Sequence, residues 1–301
     1  MLVFALAVGL RLVHTVFLGL IVGEDINFYC NLQFYGETNP LKNIENEEHQ
    51  KSVMQQIKTI LTNIEQTKKV KILYACETGS RAWGFPSPDS DYDVRFIYRY
   101  ERDWYLSLSL HKDTIEYMVD ETWDVTGWDL KKSLLLLKKS NTPLIERFQS
   151  PIMYCGDATF KDEFKQLIET YYSPTAVFFH HYSLARKFWE DLKDANEVKL
   201  KSYFYLIRSL LSCNWIIKDK SVLPMHIEGL MVLIDEDIKN MLRDLVQLKA
   251  GVGEKYLHPK DEVLNKWITE MWKLVEATKE NLGVNRTEMK ELNEFFLKTI
   301  Q

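Results

Sequence analysis

The chain has 301 residues, enough for two modest domains or one large one. A hydrophobic fraction of 46% and a charged fraction of 27% are ordinary for a globular protein. A formal net charge of −5 excludes a global basic field that would hold long nucleic acid by charge alone, and leaves room only for a local basic patch. Cys30, Cys76, Cys155 and Cys213 are far apart and form no CxxC or Cys/His spacing. Free thiols in a reducing compartment, the cytoplasm, are the expectation.

The first stretch, MLVFALAVGLRLVHTVFLGLIVG, is apolar over about 22 residues, near the length that spans a bilayer. Arg11 and His14 interrupt it, and no Lys/Arg-rich run or small-residue cleavage site frames it. It reads as a membrane anchor, as a buried element, or as an extension outside the working domain. The sequence from Met54 onward looks like a natural domain start and favours the third reading. Residues 24–53 are polar, with Pro40 and the run NIENEEHQ, and read as a linker. Met54, Ile57, Ile60, Leu61 and Ile64 fall at helical spacing over 54–67. KVKILYAC predicts a strand over 69–76, and DYDVRFIYRY another over 91–100. Short strands are expected at 114–119 and 122–125, then a helix over 128–141 that Asn141-Thr142-Pro143 ends. From 160 to 301 the period is helical almost throughout. The predicted class is α+β: an extension (1–53), a small mixed-sheet domain (54–155) and an all-helical domain (156–301).

Between the first two strands runs ETGSRAWGFPSPDSDYDV. Asp91 and Asp93 stand two apart on a strand, so both side chains share a face. Two carboxylates on one face repel each other unless a cation lies between them. A hard divalent ion suits this, because Mg²⁺ takes one or two carboxylates plus substrate phosphates and waters. The Gly79-Ser80 turn supplies a close backbone approach and a hydroxyl for phosphate oxygens. Together these pieces describe a nucleoside triphosphate held by backbone at one end and by metal at the other. Two rival motifs fail on their letters. Gly79 and Gly84 have P-loop spacing, but Phe85-Pro86 stands where Lys-Ser/Thr is needed. Asp89, Asp91 and Asp93 imitate an EF-hand, but Val94 and Tyr100 occupy the Gly and Glu positions. A solvated acidic turn is the bland alternative for the pair taken alone.

Strand, Gly-Ser, ten residues and Asp-x-Asp resemble the DNA polymerase β-like nucleotidyltransferase superfamily. The longer runs ETGSRAWGFPSPDSDYDVRFIY, DVTGWDLKKSLLLLKKSNTPLIERFQSPIMY and KLKSYFYLIRSLLSCNWI resemble the RlaP/YcgL-like family of RNA repair pathway polymerase-β proteins, over roughly 54–250. The resemblance implies a polymerase β-like palm, Mg²⁺ or Mn²⁺ as two ions, and transfer of NMP from an NTP with release of pyrophosphate. An RNA end, tRNA or a broken strand, is the expected acceptor. A protein or small-molecule acceptor, or a silent nucleotide- or RNA-binding sensor, is the alternative. Extended DNA binding and a membrane partner are not expected. The superfamily adds a third carboxylate, for which Asp124 is the candidate, as base or metal ligand; its rivals are Glu116 and Asp129, the latter better suited to cap a helix. Arg81 is read either as a phosphate ligand or as an ion-pair partner of Asp89. Lys201, Tyr205 and Arg208 share one helix face and suit a triphosphate or an RNA end, or an ordinary amphipathic face. His180 and His181 lack zinc-site partners at helical spacing; Cys76 reads as a packing residue, and Trp83 and Phe85 as packing residues that fix the loop or as a stacking surface for a base.

Overall fold

The computed structural model describes residues 40–108, 112–118, 122–279 and 288–301. All of them lie in one compact unit. Residues 1–22, with their three readings, and Cys30 lie outside the described residues. Among the described residues no helix is long and apolar enough to cross a membrane.

Helix α1 (Pro40–Lys68) begins well before the expected start, so the second half of the expected linker is helical. Proline is tolerated in a first turn, and Glu and Gln are good helix formers. No apolar stripe marks this first half, which is why periodicity does not reveal it. From Val53 the stripe appears: Val53, Ile57, Leu61 and Ile64 are buried on one side.

That side covers one face of a five-stranded sheet. Its strands are β1 (Lys71–Glu77), β2 (Tyr92–Arg99), β3 (Thr114–Met118), β4 (Trp123–Asp129) and β5 (Met153–Gly156). Their order is β3-β4-β2-β1-β5. β2 and β4 run parallel and the other pairs antiparallel. Along β2 the side chains alternate by the two-residue period of a strand. Val94, Phe96 and Tyr98 pack with Ile57, Leu61 and Ile64 of α1. Asp93, Arg95 and Ile97 point to the other face. Ile57 is fully buried, so Ile57→Ala is expected to cost about 2–5 kcal/mol. A urea titration would register this as a lower midpoint with an unchanged slope; an unmoved midpoint would place α1 outside the core.

The second face carries short helices and a helical layer: α2 (Gly79–Trp83), α3 (Arg102–Tyr105), α4 (Leu130–Leu137), α5 (Thr142–Gln149), α6 (Ala158–Tyr171), α7 (Pro174–Leu192), α8 (Leu200–Lys218), α9 (Ile227–Met231), α10 (Glu236–Gly251), α11 (Glu262–Thr278) and α12 (Lys290–Thr299). A small ribbon of β6 (Glu197–Lys199) and β7 (Leu257–Pro259) joins them. Asp129 caps α4, accepting from the Lys131 amide at 2.8 Å, as its sequence position suggests. The helix expected over 128–141 stops at Leu137, and a second one follows. Asn141 caps that second helix by accepting from the Leu144 amide, and Pro143 fits its first turn. One hydrophobic core runs from Cys76 and Ile97 of the sheet through α5, α6, α7 and α8 to α11.

Candidate active site

Strand β1 ends in the Thr78-Gly79-Ser80 turn, which is stitched to β2 by the Thr78 amide donating to the Asp93 carbonyl at 2.9 Å. Gly79 has φ +63°, and a Cβ there would stand 1.9 Å from Asp93 Oδ2. Only glycine lets the backbone lie against that carboxylate. Ser80 Oγ meets Ser90 Oγ at 3.2 Å. Across the parallel pair, Asp93 stands opposite Asp124. Asp91 sits one residue ahead of β2. The three predicted carboxylates therefore converge on one end of the sheet. Burial pushes the Asp93 pKa above its ordinary value; Arg95 opposes that, and the charges of Asp91 and Asp124 add to it. Glu116, one rival for the third acid, is exposed.

Arg95 was not foreseen. Two residues after Asp93, it shares that face. Its Nη2 donates to Asp93 Oδ1 at 2.8 Å and to Asp124 Oδ2 at 2.7 Å, and its Nη1 to the Asp124 carbonyl at 2.7 Å. A guanidinium thus joins the second and third carboxylates. Among the described residues no group of three His, Cys, Asp or Glu side chains is arranged to hold a metal. Asp91 and Asp93 fit a divalent ion that draws its remaining oxygens from substrate and water, and the close approach allowed by Gly79 keeps Asp93 Oδ2 beside the Gly79-Ser80 turn. Asp124 would join such a set only on leaving Arg95.

Glu77 was also missed. It is fully buried at the end of β1. Its Oε1 accepts from the Asp93 amide at 2.7 Å, and the Tyr154 hydroxyl bonds its other oxygen. Burial is the main cause that pushes its pKa up to about 7, with the Tyr154 hydrogen bond working against it. A carboxyl whose pKa is raised on folding lends stability that is complete below the unfolded value and is lost as pH rises through the folded one. The window here runs from about 4.5 to about 7. Glu77→Gln keeps an acceptor for the Asp93 amide and removes the titration. It is expected to be more stable than the parent at pH 8, by up to about 3 kcal/mol. The advantage should vanish below pH 4.5, as urea midpoints in EDTA across the range would report. A pH-independent difference would contradict it.

Arg81 pairs with backbone instead of Asp89. It donates to the Ser90 carbonyl at 2.6 Å and the Asp91 carbonyl at 3.1 Å, with its guanidinium 3.9 Å over the Tyr92 ring. Asp89 instead accepts from the Glu254 amide at 3.1 Å. Lys249 Nζ, buried, donates to Ser87 Oγ at 2.6 Å. A Cβ on Gly84 would meet the His226 ring at 2.2 Å. The ten-residue spacer is therefore gripped by α10 and the segments flanking it. The three residues of the α8 face divide. Lys201 pairs with Glu254 at 2.9 Å and keeps 43% of its side chain exposed. Tyr205 meets Trp83 edge-on at 5.3 Å. Arg208 is buried against Glu146 at 2.8 Å. Phe85 stacks on Phe204 at 4.8 Å, the packing role expected of it.

From Gly79 and Asp93 a cavity of about 360 Å³ runs between the sheet and α5, α7 and α8. A larger one, about 590 Å³, lies beside α1 and α6 and contains none of the predicted residues. The smaller one takes Gly79, Asp93, Tyr205 and Arg208 of the predicted residues into its wall, so the candidate site opens onto it.

A mixed sheet, a glycine turn pressed on a carboxylate and paired acids on adjacent parallel strands make a polymerase β-like arrangement. The chain belongs to the RNA repair pathway DNA polymerase beta family, RlaP, whose description matches residues 53–298. It is 39% identical over 244 residues to the uncharacterized protein YcgL of Bacillus subtilis (strain 168), covering 80% of this chain and 94% of that protein.

Proposed function

We propose that the protein transfers a nucleoside monophosphate from an NTP to an acceptor hydroxyl, with an RNA end as acceptor and pyrophosphate as the other product. The observation that carries this is the contact of the Gly79 turn with Asp93, itself in register with Asp124. Membership of a polymerase β-like RNA repair family supports both the chemistry and the RNA.

Gly79 and Ser80 hold the β and γ phosphates, and Lys201, whose charge acts on Asp91 and Asp93, adds positive charge there. Arg81 keeps the Ser90–Asp91 backbone in place beside them. Asp91 and Asp93 hold Mg²⁺ or Mn²⁺, which, when bound, offsets charge on the attacking and leaving oxygens. The acceptor oxygen attacks the α phosphorus, the bond to the β-phosphate oxygen breaks, and the acceptor proton passes to Asp124, whose side chain is 46% exposed. Glu77 and Thr78 fix the Asp93 backbone through its amide and its carbonyl. The cysteines that are described, all free, suit a reducing cytoplasm.

The test incubates the full chain with each α-labelled NTP, divalent metal and RNA. Labelled RNA that disappears with Asp91→Ala supports the proposal. Label on protein or on a small molecule would move the acceptor, and no labelled product with any NTP would overturn transfer altogether.

A further inference from the structure

The cavity that opens at Gly79 and Asp93 is lined by three arginines, Arg95, Arg147 and Arg208. Two of them are matched by acids. Arg95 is held by Asp93 and Asp124, and Arg208 by Glu146. Arg147 is not. It is 3% exposed, and among the described residues no carboxylate pairs with it. Its Nη1 donates to the Phe96 carbonyl at 3.3 Å, and its guanidinium lies 3.4 Å over the Trp128 ring. The acid nearest to serving it is Cys76, but burial pushes that thiol up to about 12, so it stays neutral. Burial lowers Arg147 itself only to about 9, which leaves it charged at neutral pH. A buried, uncompensated guanidinium is costly unless something brings negative charge to it.

A second observation points the same way. Arg208 Nε, Trp83 Nε1 and both ring nitrogens of His181 are buried without a hydrogen-bond partner, and all three residues line this cavity. His181 is held neutral by burial and so offers one N–H. The wall therefore has a surplus of donors and one guanidinium that, among the described residues, no carboxylate meets. Arginine's planar fork matches phosphate oxygens.

We propose that this cavity is an anion site for a phosphoryl group, held chiefly by Arg147. The group is either part of the triphosphate tail or a terminal phosphate on the RNA acceptor. Only the choice between these sources rests on the nucleotidyl-transfer reading; the anion site itself does not.

The experiment measures binding of inorganic phosphate to the full chain by calorimetry at constant ionic strength. Arg147→Met is expected to weaken phosphate binding by about tenfold to a hundredfold. It should also leave the melting temperature of the phosphate-free protein unchanged or higher, since it removes a buried unpaired charge. A merely structural arginine would show the reverse, lower stability and unchanged phosphate binding, and that result would overturn the site. Glu146→Gln, which removes the competing carboxylate, should tighten phosphate binding; unchanged or weaker binding overturns the site even where Arg147→Met does not fold. Two further arms assign the source. An NTP with a methylene between the α and β phosphorus atoms loses affinity in Arg147→Met when the tail occupies the site. An oligonucleotide bearing a 3′-phosphate loses affinity, and its 3′-hydroxyl counterpart does not, when the acceptor occupies it.

Discussion

Asp93→Asn is expected to lower nucleotidyl transfer at least about a hundredfold while leaving the protein folded. The amide is the same size as the carboxylate and still accepts from Arg95. The backbone bonds from Thr78 and to Glu77 do not involve the side chain. What disappears is the charge between Asp91 and Asp124. Burial already raises the Asp93 pKa, so the ionised form is disfavoured by folding and the neutral amide is not. At pH 8 the variant should therefore melt at or above the parent temperature. The measurement is label transfer beside a thermal melt of the same preparation. Transfer at the parent rate would remove Asp93 from the reaction.

Gly79→Ala should damage both function and fold. The left-handed backbone costs an L residue about 1–2 kcal/mol. The added methyl would also have to displace Asp93 Oδ2, 1.9 Å away, so either the carboxylate swings out or the turn lifts from the sheet. Activity should fall about as far as with Asp93→Asn. Melting should drop by on the order of 5–10 °C, given about 2–4 °C per kcal/mol for a domain of this size. Gly251→Ala is the control, because a Cβ at Gly251 meets nothing within 4 Å. Equal melting of the two variants would refute the close contact at Gly79.

The parts of the site that were legible in the sequence are those that local geometry decides. Two-residue alternation predicts a shared face for Asp91 and Asp93, although Asp91 falls just ahead of β2, and Gly-Ser after an apolar strand marks the turn. Asp124 was legible because TWDV reads as a strand, although only the parallel register with β2 brings it opposite Asp93. Arg95 stood in view in DYDVR, yet nothing local says that its guanidinium will join Asp93 to an acid 29 residues further on. Glu77 and Arg147 were invisible for a different reason. Their significance lies in burial with hydrogen bonds but, among the described residues, no ion pair, which only the packing of β5 and α5 on the sheet creates. The first half of α1 was missed because its sequence carries no apolar stripe, and an amphipathic pattern is what marks a helix in sequence. Arg208 suited either a ligand or an ordinary amphipathic face at its helical spacing, and its partner Glu146 comes from another helix that local pattern does not reveal.

The grip of α10 and its neighbours on the spacer means that the signature is completed by residues more than 160 positions away. The distance between the Gly79-Ser80 turn and the carboxylates is set jointly by PSPDS and by Lys249 and the Glu254 amide. A fragment ending before residue 236 would carry every motif residue and still lack the struts that space them. The Gly-Ser and Asp-Tyr-Asp elements are thus two ends of a span whose piers stand in the last quarter of the chain, and exchanging the spacer alone between relatives would leave its ends without their supports.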